Sequence, residues 1–335
     1  MKTIGVAVFG AGYWGPNLIR NFHALPEANV VAVCDLDKTR LSHVQTLYPS
    51  IKTTTQSGDV FSDPTVHAVA IATPLATHFP LAKKALIADK HVLLEKPFTR
   101  TVREAEELIM LSEKKHLVLF AGHTYVYNTA IQKIKKVLSQ KKLGKVYYYE
   151  SMRANLGLIQ HDANVIWDLA PHDFSILNYI FPTKPLAIRV LSSRFVHSRQ
   201  EEVAHVFVRY ENNLFAHMYL SWLSPLKIRM TMLAGSKKML VFDQQNPVEQ
   251  IRLYDKGVMV TKDKNNSLRS SYRYGDVIVP ALDDTEALST ELRHFLSCIR
   301  EKQKPLTGGK EGLEIVKLLE AADRSLKSGK EILLR

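Results

Sequence analysis

The segment Thr3–Phe9 is a short apolar run that enters Gly10-Ala11-Gly12-Tyr13-Trp14-Gly15 without a break, and an amphipathic stretch, Asn17–Ala24, follows. Strand, G-x-G-x-x-G and helix in that order leave few folds open. Gly10 permits a tight turn, Gly12 lets backbone approach a pyrophosphate, and Gly15 lets helix and strand pack closely. The helix N-terminus adds amide donors and a partial positive charge. A second apolar run ends in Val33-Cys34-Asp35, and Asp35 lies 20 residues beyond Gly15. An acid at that place hydrogen-bonds the ribose hydroxyls of adenosine and repels a 2′-phosphate, so the constellation predicts NAD as cofactor. Lys38 and Arg40 stand near enough to help a phosphate, which leaves NADP disfavoured rather than excluded.

The alternation continues through the first third of the chain. Val30–Cys34, Ala68–Ala72, His91–Leu94 and Leu117–Ala121 read as buried strands. Asp37–Leu47, Thr77–Ala88 and Val102–Lys115 read as helices, the last opened by a Thr101/Glu104 capping box. Such alternation predicts a parallel sheet with right-handed crossovers. After Ala121 the pattern changes. A helix over Ala130–Gln140 leads to a tyrosine-rich strand, Lys145–Arg153, then to a helix over Asp168–Ile180. From Ala187 to Thr261 strands follow one another with no helix between, and helices over Thr285–Arg300 and Glu311–Lys327 close the chain. The expected fold class is an α/β Rossmann domain with a parallel sheet (residues 1–122) and an α+β domain with a large, mostly antiparallel open sheet (residues 123–335). The ligand crevice is expected beyond the carboxyl ends of the parallel strands. Asn265–Tyr274, polar and interrupted, reads as a mobile loop.

Composition narrows the function classes. Hydrophobic residues at 46% and charged residues at 23% are ordinary for a globular protein. Two distant cysteines, Cys34 and Cys298, make neither a disulfide framework nor a zinc site and fit a reducing, cytoplasmic compartment. The start does not read as a targeting signal, and no run of about 18 apolar residues predicts a membrane span. A formal charge of +12 would suit nucleic acid, anionic lipid or a phosphorylated metabolite. The densest basic cluster, Lys133–Lys145, has Ile131, Ile134, Val137 and Leu138 at helical spacing, so its lysines read as the wet face of a helix rather than a nucleic-acid patch.

Three further motifs stand out. Ala72-Thr73-Pro74 ends a strand, with His78 just beyond. Glu95-Lys96-Pro97 ends another and places an amine beside the dinucleotide cleft. In Trp167-Asp168-Leu169-Ala170-Pro171-His172-Asp173, Asp168 and His172 are at i and i+4 and share a helix face; no third ligand at sensible spacing supports a metal there. Together these motifs resemble the Gfo/Idh/MocA oxidoreductase family over essentially the whole chain. The resemblance implies Lys96, His172 and Asp168 as catalytic residues and a cis bond before Pro97. It also implies a cofactor site of Gly10, Gly12, Tyr13, Trp14, Gly15, Asp35, Thr73, Pro74, His78, Glu95 and Lys96.

Within that family, Gly12–Asn17, Gly122-His123-Thr124-Tyr125 and Trp167–Asp173 are most similar to the nucleotide-sugar dehydrogenases that oxidise the C3 hydroxyl of UDP-N-acetylglucosamine or its uronic acid ahead of an aminotransferase. Substrate contacts are then expected at Lys96, His123, Arg153, Asn155, Trp167, Asp168, His172, Lys227, Arg229 and Tyr274, with arginine suited to the diphosphate. His172 or Lys96 would be the principal base, Lys96 working best with a pKa lowered by burial. Phe207, Phe215, Tyr219 and Met230 alternate on one sheet face, which predicts a homo-oligomer, dimer or tetramer. Three rivals stay open: a keto-sugar reductase using NADPH and a dTDP-linked sugar, a polyol dehydrogenase of the inositol type, and a non-catalytic NAD-binding regulator acting on DNA.

Overall fold

A computed structural model describes residues 3–334 except 158, 160–161, 197–198 and 263–267. The chain forms two units, one of residues 1–127 and 285–320, the other of residues 128–284 and 321–335.

In the first unit, strands β1 (Ile4–Phe9), β2 (Ala28–Cys34), β3 (Lys52–Thr54), β4 (Ala68–Ile71), β5 (His91–Glu95) and β6 (Leu119–Gly122) form one parallel sheet in the order β3-β2-β1-β4-β5-β6. Helices α1 (Gly15–Ala24), α2 (Lys38–Leu47), α3 (Ser57–Ser62), α4 (Leu75–Ile87) and α5 (Val102–Lys114) alternate with them. Central strands β1 and β4 are buried on both faces, as covered parallel strands must be. The order reverses between β1 and β4, and there the carboxyl ends of neighbouring strands open a crevice. The expected capping box holds α5: Thr101 accepts from the Glu104 amide and Glu104 reaches back to the Thr101 amide.

The second unit begins with α6 (Thr129–Ser139), whose Ile131, Ile134 and Val137 are buried. A nine-stranded sheet follows, made by β7 (Val146–Leu156), β8 (Pro185–Ser193), β9 (Val203–Tyr210), β10 (Phe215–Ser221), β11 (Leu223–Gly235), β12 (Met239–Asp243), β13 (Ile251–Lys262), β14 (Leu268–Ile278) and β15 (Ile332–Leu333). Its order is β14-β13-β12-β11-β7-β10-β9-β8-β15, antiparallel except for β7 against β10. Helix α7 (Val165–Ile180) lies on β10 and β9.

Three expectations are corrected. Residues 285–320, read with the second domain, belong to the first unit: α8 (Ala287–Glu301) and α9 (Gly309–Ser328), as far as Glu320, pack there. An amphipathic helix advertises an apolar face and not which sheet will cover it. Residues 268–274 of the supposed loop lie in β14, paired with β13; 265–267 fall outside the described residues. Helix α7 starts at Val165, capped by Asn164, so Pro171 is inside it rather than in the first turn.

Candidate active site

β1 delivers the chain into the glycine loop. Gly10 has φ +92°, and a Cβ there would lie 2.6 Å from the Ala72 carbonyl oxygen beyond the end of β4. A Cβ at Gly15 would lie 1.9 Å from the Gly10 carbonyl oxygen. Only glycine fits either place, so the turn stays tight and its backbone bare. Helix α1 then starts with no side chain accepting from its first turn, a cradle suited to an anion. Tyr13 is 83% exposed, whereas Trp14 turns inward.

Asp35, just past β2, is tied to this loop. Its Oδ2 accepts the Ala11 amide at 2.6 Å and its Oδ1 the Asp37 amide at 2.8 Å. Arg40 Nη1 stands 3.7 Å from the same Oδ2, over the open side of Gly12. A carboxylate has about four acceptor sites, so these contacts leave capacity for hydroxyl donors.

The turns after β4 and β5 are linked. His78, buried in α4, sets Nδ1 2.8 Å from the Pro97 carbonyl oxygen and Nε2 2.9 Å from that of Thr73. Thr73 Oγ1 accepts from Thr77 Oγ1, and Pro74 leads into α4. His78 thus shapes both turns from behind. Trp14 Nε1 donates to Glu95 Oε1 at 2.8 Å, joining the glycine loop to the end of β5. The Lys96–Pro97 bond is cis, and Lys96 is half-buried. Glu95 is buried, and desolvation pushes its carboxyl up to about 7 against the pull of Trp14 and Lys96. His123 follows β6. It is 2% exposed, and neither ring nitrogen has a hydrogen-bond partner. Burial, aided by the Lys96 charge, lowers its imidazole to about 4, so it is neutral near pH 7. The expected substrate ligand is therefore an enclosed residue.

In the second unit, α7 is buried at every residue from 165 to 177 except Asp168 and His172. The two lie one turn apart on one face. Trp222, which the sequence reading passed over, is 1% exposed and donates its indole N–H to Asp168 Oδ2 at 3.1 Å. Trp167 is buried and donates to the Asp323 carboxylate at 3.0 and 3.1 Å, fixing the helix start.

The residues expected at a diphosphate are mostly engaged within the unit. Arg153 Nε donates to Asp173 Oδ2 at 2.6 Å, and Asp173 Oδ1 accepts the Tyr149 hydroxyl at 2.7 Å; all three side chains are buried. Arg229 donates to the Ala154 and Ile228 carbonyls and to Asn155 Oδ1. Lys227 is exposed. Tyr274 is on β14, five strands from the β10 that supports α7, or ~24 Å at ~4.8 Å per strand. It is not brought to Asp168 and His172.

Residues 4–123 match the model described as the GFO/IDH/MocA oxidoreductase family, NAD-binding Rossmann fold, and residues 131–241 match the GFO/IDH/MocA C-terminal domain. The chain belongs to the Gfo/Idh/MocA oxidoreductase family. It is an NAD-dependent oxidoreductase, and the glycine loop and Asp35 lie in its NAD-binding Rossmann unit. This Gfo/Idh/MocA oxidoreductase is 32% identical over 184 residues to the uncharacterized oxidoreductase YdgJ of Escherichia coli strain K12, a match spanning 51% of each chain. It is 27% identical to the UDP-N-acetylglucosamine 3-dehydrogenase of Acidithiobacillus ferrooxidans over 75% of this chain and 76% of that one. A solved structure of the enzyme of that name from that species, GnnA, superposes with a TM-score of 0.81 at 23% identity, covering 98% and 99%. The scyllo-inositol 2-dehydrogenase (NAD(+)) of Bacillus subtilis strain 168 is 22% identical over 98% of this chain and 95% of its own.

Proposed function

We propose that this protein oxidises the C3 hydroxyl of a UDP-linked N-acetylated sugar of the UDP-N-acetylglucosamine type to the 3-keto sugar. Gly10–Gly15 would hold the pyrophosphate of NAD and Asp35 its adenosine ribose. When bound, NAD supplies the acceptor for the hydride leaving C3. The chain does the rest. Lys96 donates to the reacting oxygen and stabilises the negative charge that develops on it. His172 accepts the hydroxyl proton, and Asp168, held by Trp222, orients the neighbouring hydroxyls. The observation that carries the redox roles is the pair Asp168 and His172, the two residues left accessible on an otherwise buried stretch of α7. A positioned base of this kind contributes about 10²–10⁴-fold. The substrate class is supported by the motif wording and by the likeness to the UDP-N-acetylglucosamine enzyme. Phe207, Phe215, Tyr219 and Met230 on one sheet face support a homo-oligomer, and the 3-keto product suits a downstream aminotransferase in the cytoplasm.

A second reading has its own support. Arg153 and Arg229 are largely spent within their unit, and an inositol dehydrogenase matches nearly the whole chain; both favour a free cyclic polyol. Incubation with NAD and a panel of UDP-sugars, dTDP-sugars and inositols, followed by absorbance of the reduced nicotinamide, separates the two. Reduction with UDP-N-acetylated sugars alone supports the first reading. Reduction with inositols alone overturns it. Because 3-keto sugars are unfavourable products, a coupled aminotransferase is included in each reaction.

A further inference from the structure

Besides Glu95, the first unit buries a second carboxyl that the proposed chemistry does not use. Glu291, on α8, is 0% exposed. Its Oε2 accepts the Thr124 hydroxyl at 2.6 Å, and its Oε1 is buried with no hydrogen-bond partner. Glu95 is reached from the same short segment: a Cβ on Gly122 would lie 3.1 Å from Glu95 Oε2. One stretch of three residues, Gly122-His123-Thr124, therefore packs against one carboxyl at its start and bonds the other at its end.

Among the described residues the surroundings supply little positive charge, Arg20 of α1, which packs on α8, being held by Glu286. Lys96 is the cation from the end of β5. His123, from the segment after β6, is held neutral near pH 7. Tyr127, on that segment, has its hydroxyl pushed up by burial and bonds His294 of α8, itself lowered by burial. Cys298 of α8 is raised to about 11. Glu311, from α9, adds only negative charge nearby. Lys96 acts on Glu95, so ionising Glu291 as well would leave a buried charge uncompensated. Burial first, and then the charge on Glu95, raise the Glu291 carboxyl against the lowering pull of hydrogen bonds from the Thr124 hydroxyl and the His123 backbone.

We infer that Glu291 is a positioning residue that shares one proton with Glu95, so that the buried pair presents a single negative charge to Lys96 and, through Trp14, to the glycine loop. Trp14 bonds Glu95 directly, so a second ionisation adds negative charge behind the loop that meets a pyrophosphate. NAD binding and the retained proton then favour each other, as linkage requires. The inference rests on Gly10–Gly15 being the loop that holds NAD and is independent of the sugar.

The test combines two measurements on the full chain. Carboxyl-carbon NMR of protein labelled at glutamate Cδ, assigned with Glu291→Gln and Glu95→Gln, follows each group with pH. The Glu291 resonance is expected to titrate well above the ordinary carboxylate range and to move down by a pH unit or more in Glu95→Gln. NAD affinity, measured by calorimetry across pH, is expected to weaken in the wild type by up to about tenfold per pH unit above that upper midpoint. In Glu291→Gln, which stays neutral, that dependence disappears. A Glu291 carboxyl titrating near pH 4–5, or unmoved in Glu95→Gln, overturns the shared proton. Coinciding affinity profiles of wild type and Glu291→Gln overturn the positioning role. Loss of NAD binding at every pH in both, with the NMR midpoints as expected, overturns instead the assignment of the loop and, with it, the positioning role. If Glu291→Gln does not fold, the wild-type and Glu95→Gln midpoints decide the shared proton.

Discussion

Asp173→Asn should unfold the second unit more readily than any surface change. Arg153 and Asp173 meet at 2.6 Å with side chains 4% and 0% exposed, and the Tyr149 hydroxyl takes the other carboxylate oxygen at 2.7 Å. The amide keeps an acceptor for Tyr149 but removes the carboxylate charge that faces Arg153, and breaking a buried pair in this way costs about 3–5 kcal/mol. With a urea dependence of about 1–3 kcal/mol per molar, the midpoint for the second unit should fall by roughly 1–5 M. Arg153→Met combined with Asp173→Leu removes both charges and takes the Asp173 acceptor from the Tyr149 hydroxyl, a loss of about 1–3 kcal/mol. The double variant should therefore be more stable than Asp173→Asn alone. Equilibrium urea unfolding followed by circular dichroism and tryptophan fluorescence reads all three. A cost for Asp173→Asn below about 1 kcal/mol, or a double variant worse than the single, would refute the view that Arg153 is a buried structural charge.

Gly15→Ala sets a methyl 1.9 Å from the Gly10 carbonyl oxygen; overpacking of about 1–3 kcal/mol should surface as NAD affinity lower by about tenfold or more in a protein that still folds, measured by calorimetry. Lys96→Ala and His172→Ala should each lower kcat by at least about 10²-fold once a substrate is found, and steady-state kinetics showing near wild-type turnover removes that residue from its role. His123 has its folded pKa depressed to about 4 from 6.5, so between these values the unfolded chain binds more protons and stability falls as pH falls. At 1.36 kcal/mol per unit the loss is ~3 kcal/mol. His123→Phe should flatten that acid limb when Tm is compared at pH 7 and pH 5, and an unchanged limb would mean that other groups, such as His91, carry it.

Much of this was legible because the relevant signals are local. The glycine loop, the strand–helix alternation, the Thr101/Glu104 cap and the i,i+4 spacing of Asp168 and His172 each follow from neighbours in sequence. What could not be read depends on partners far along the chain. Arg153 looks like an open strand-end arginine until Asp173 of α7 is seen against it. Trp222 reaches Asp168 across 54 positions. The apolar face of α8, with Leu292, Phe295 and Leu296, would serve either unit equally. Residues 268–274 looked like a loop because an exposed edge strand carries polar residues on both faces and lacks the alternation that marks a half-buried one.

Hydride origin tests the central claim most directly. UDP-N-acetylglucosamine deuterated at C3 is incubated with the protein, NAD and a coupled aminotransferase, and the reduced nicotinamide is weighed by mass spectrometry. Oxidation at C3 predicts NADH one mass unit heavier, formed at least about 10²-fold more slowly in Lys96→Ala or His172→Ala. Unlabelled NADH, or none formed while an inositol is oxidised under the same conditions, would contradict the account.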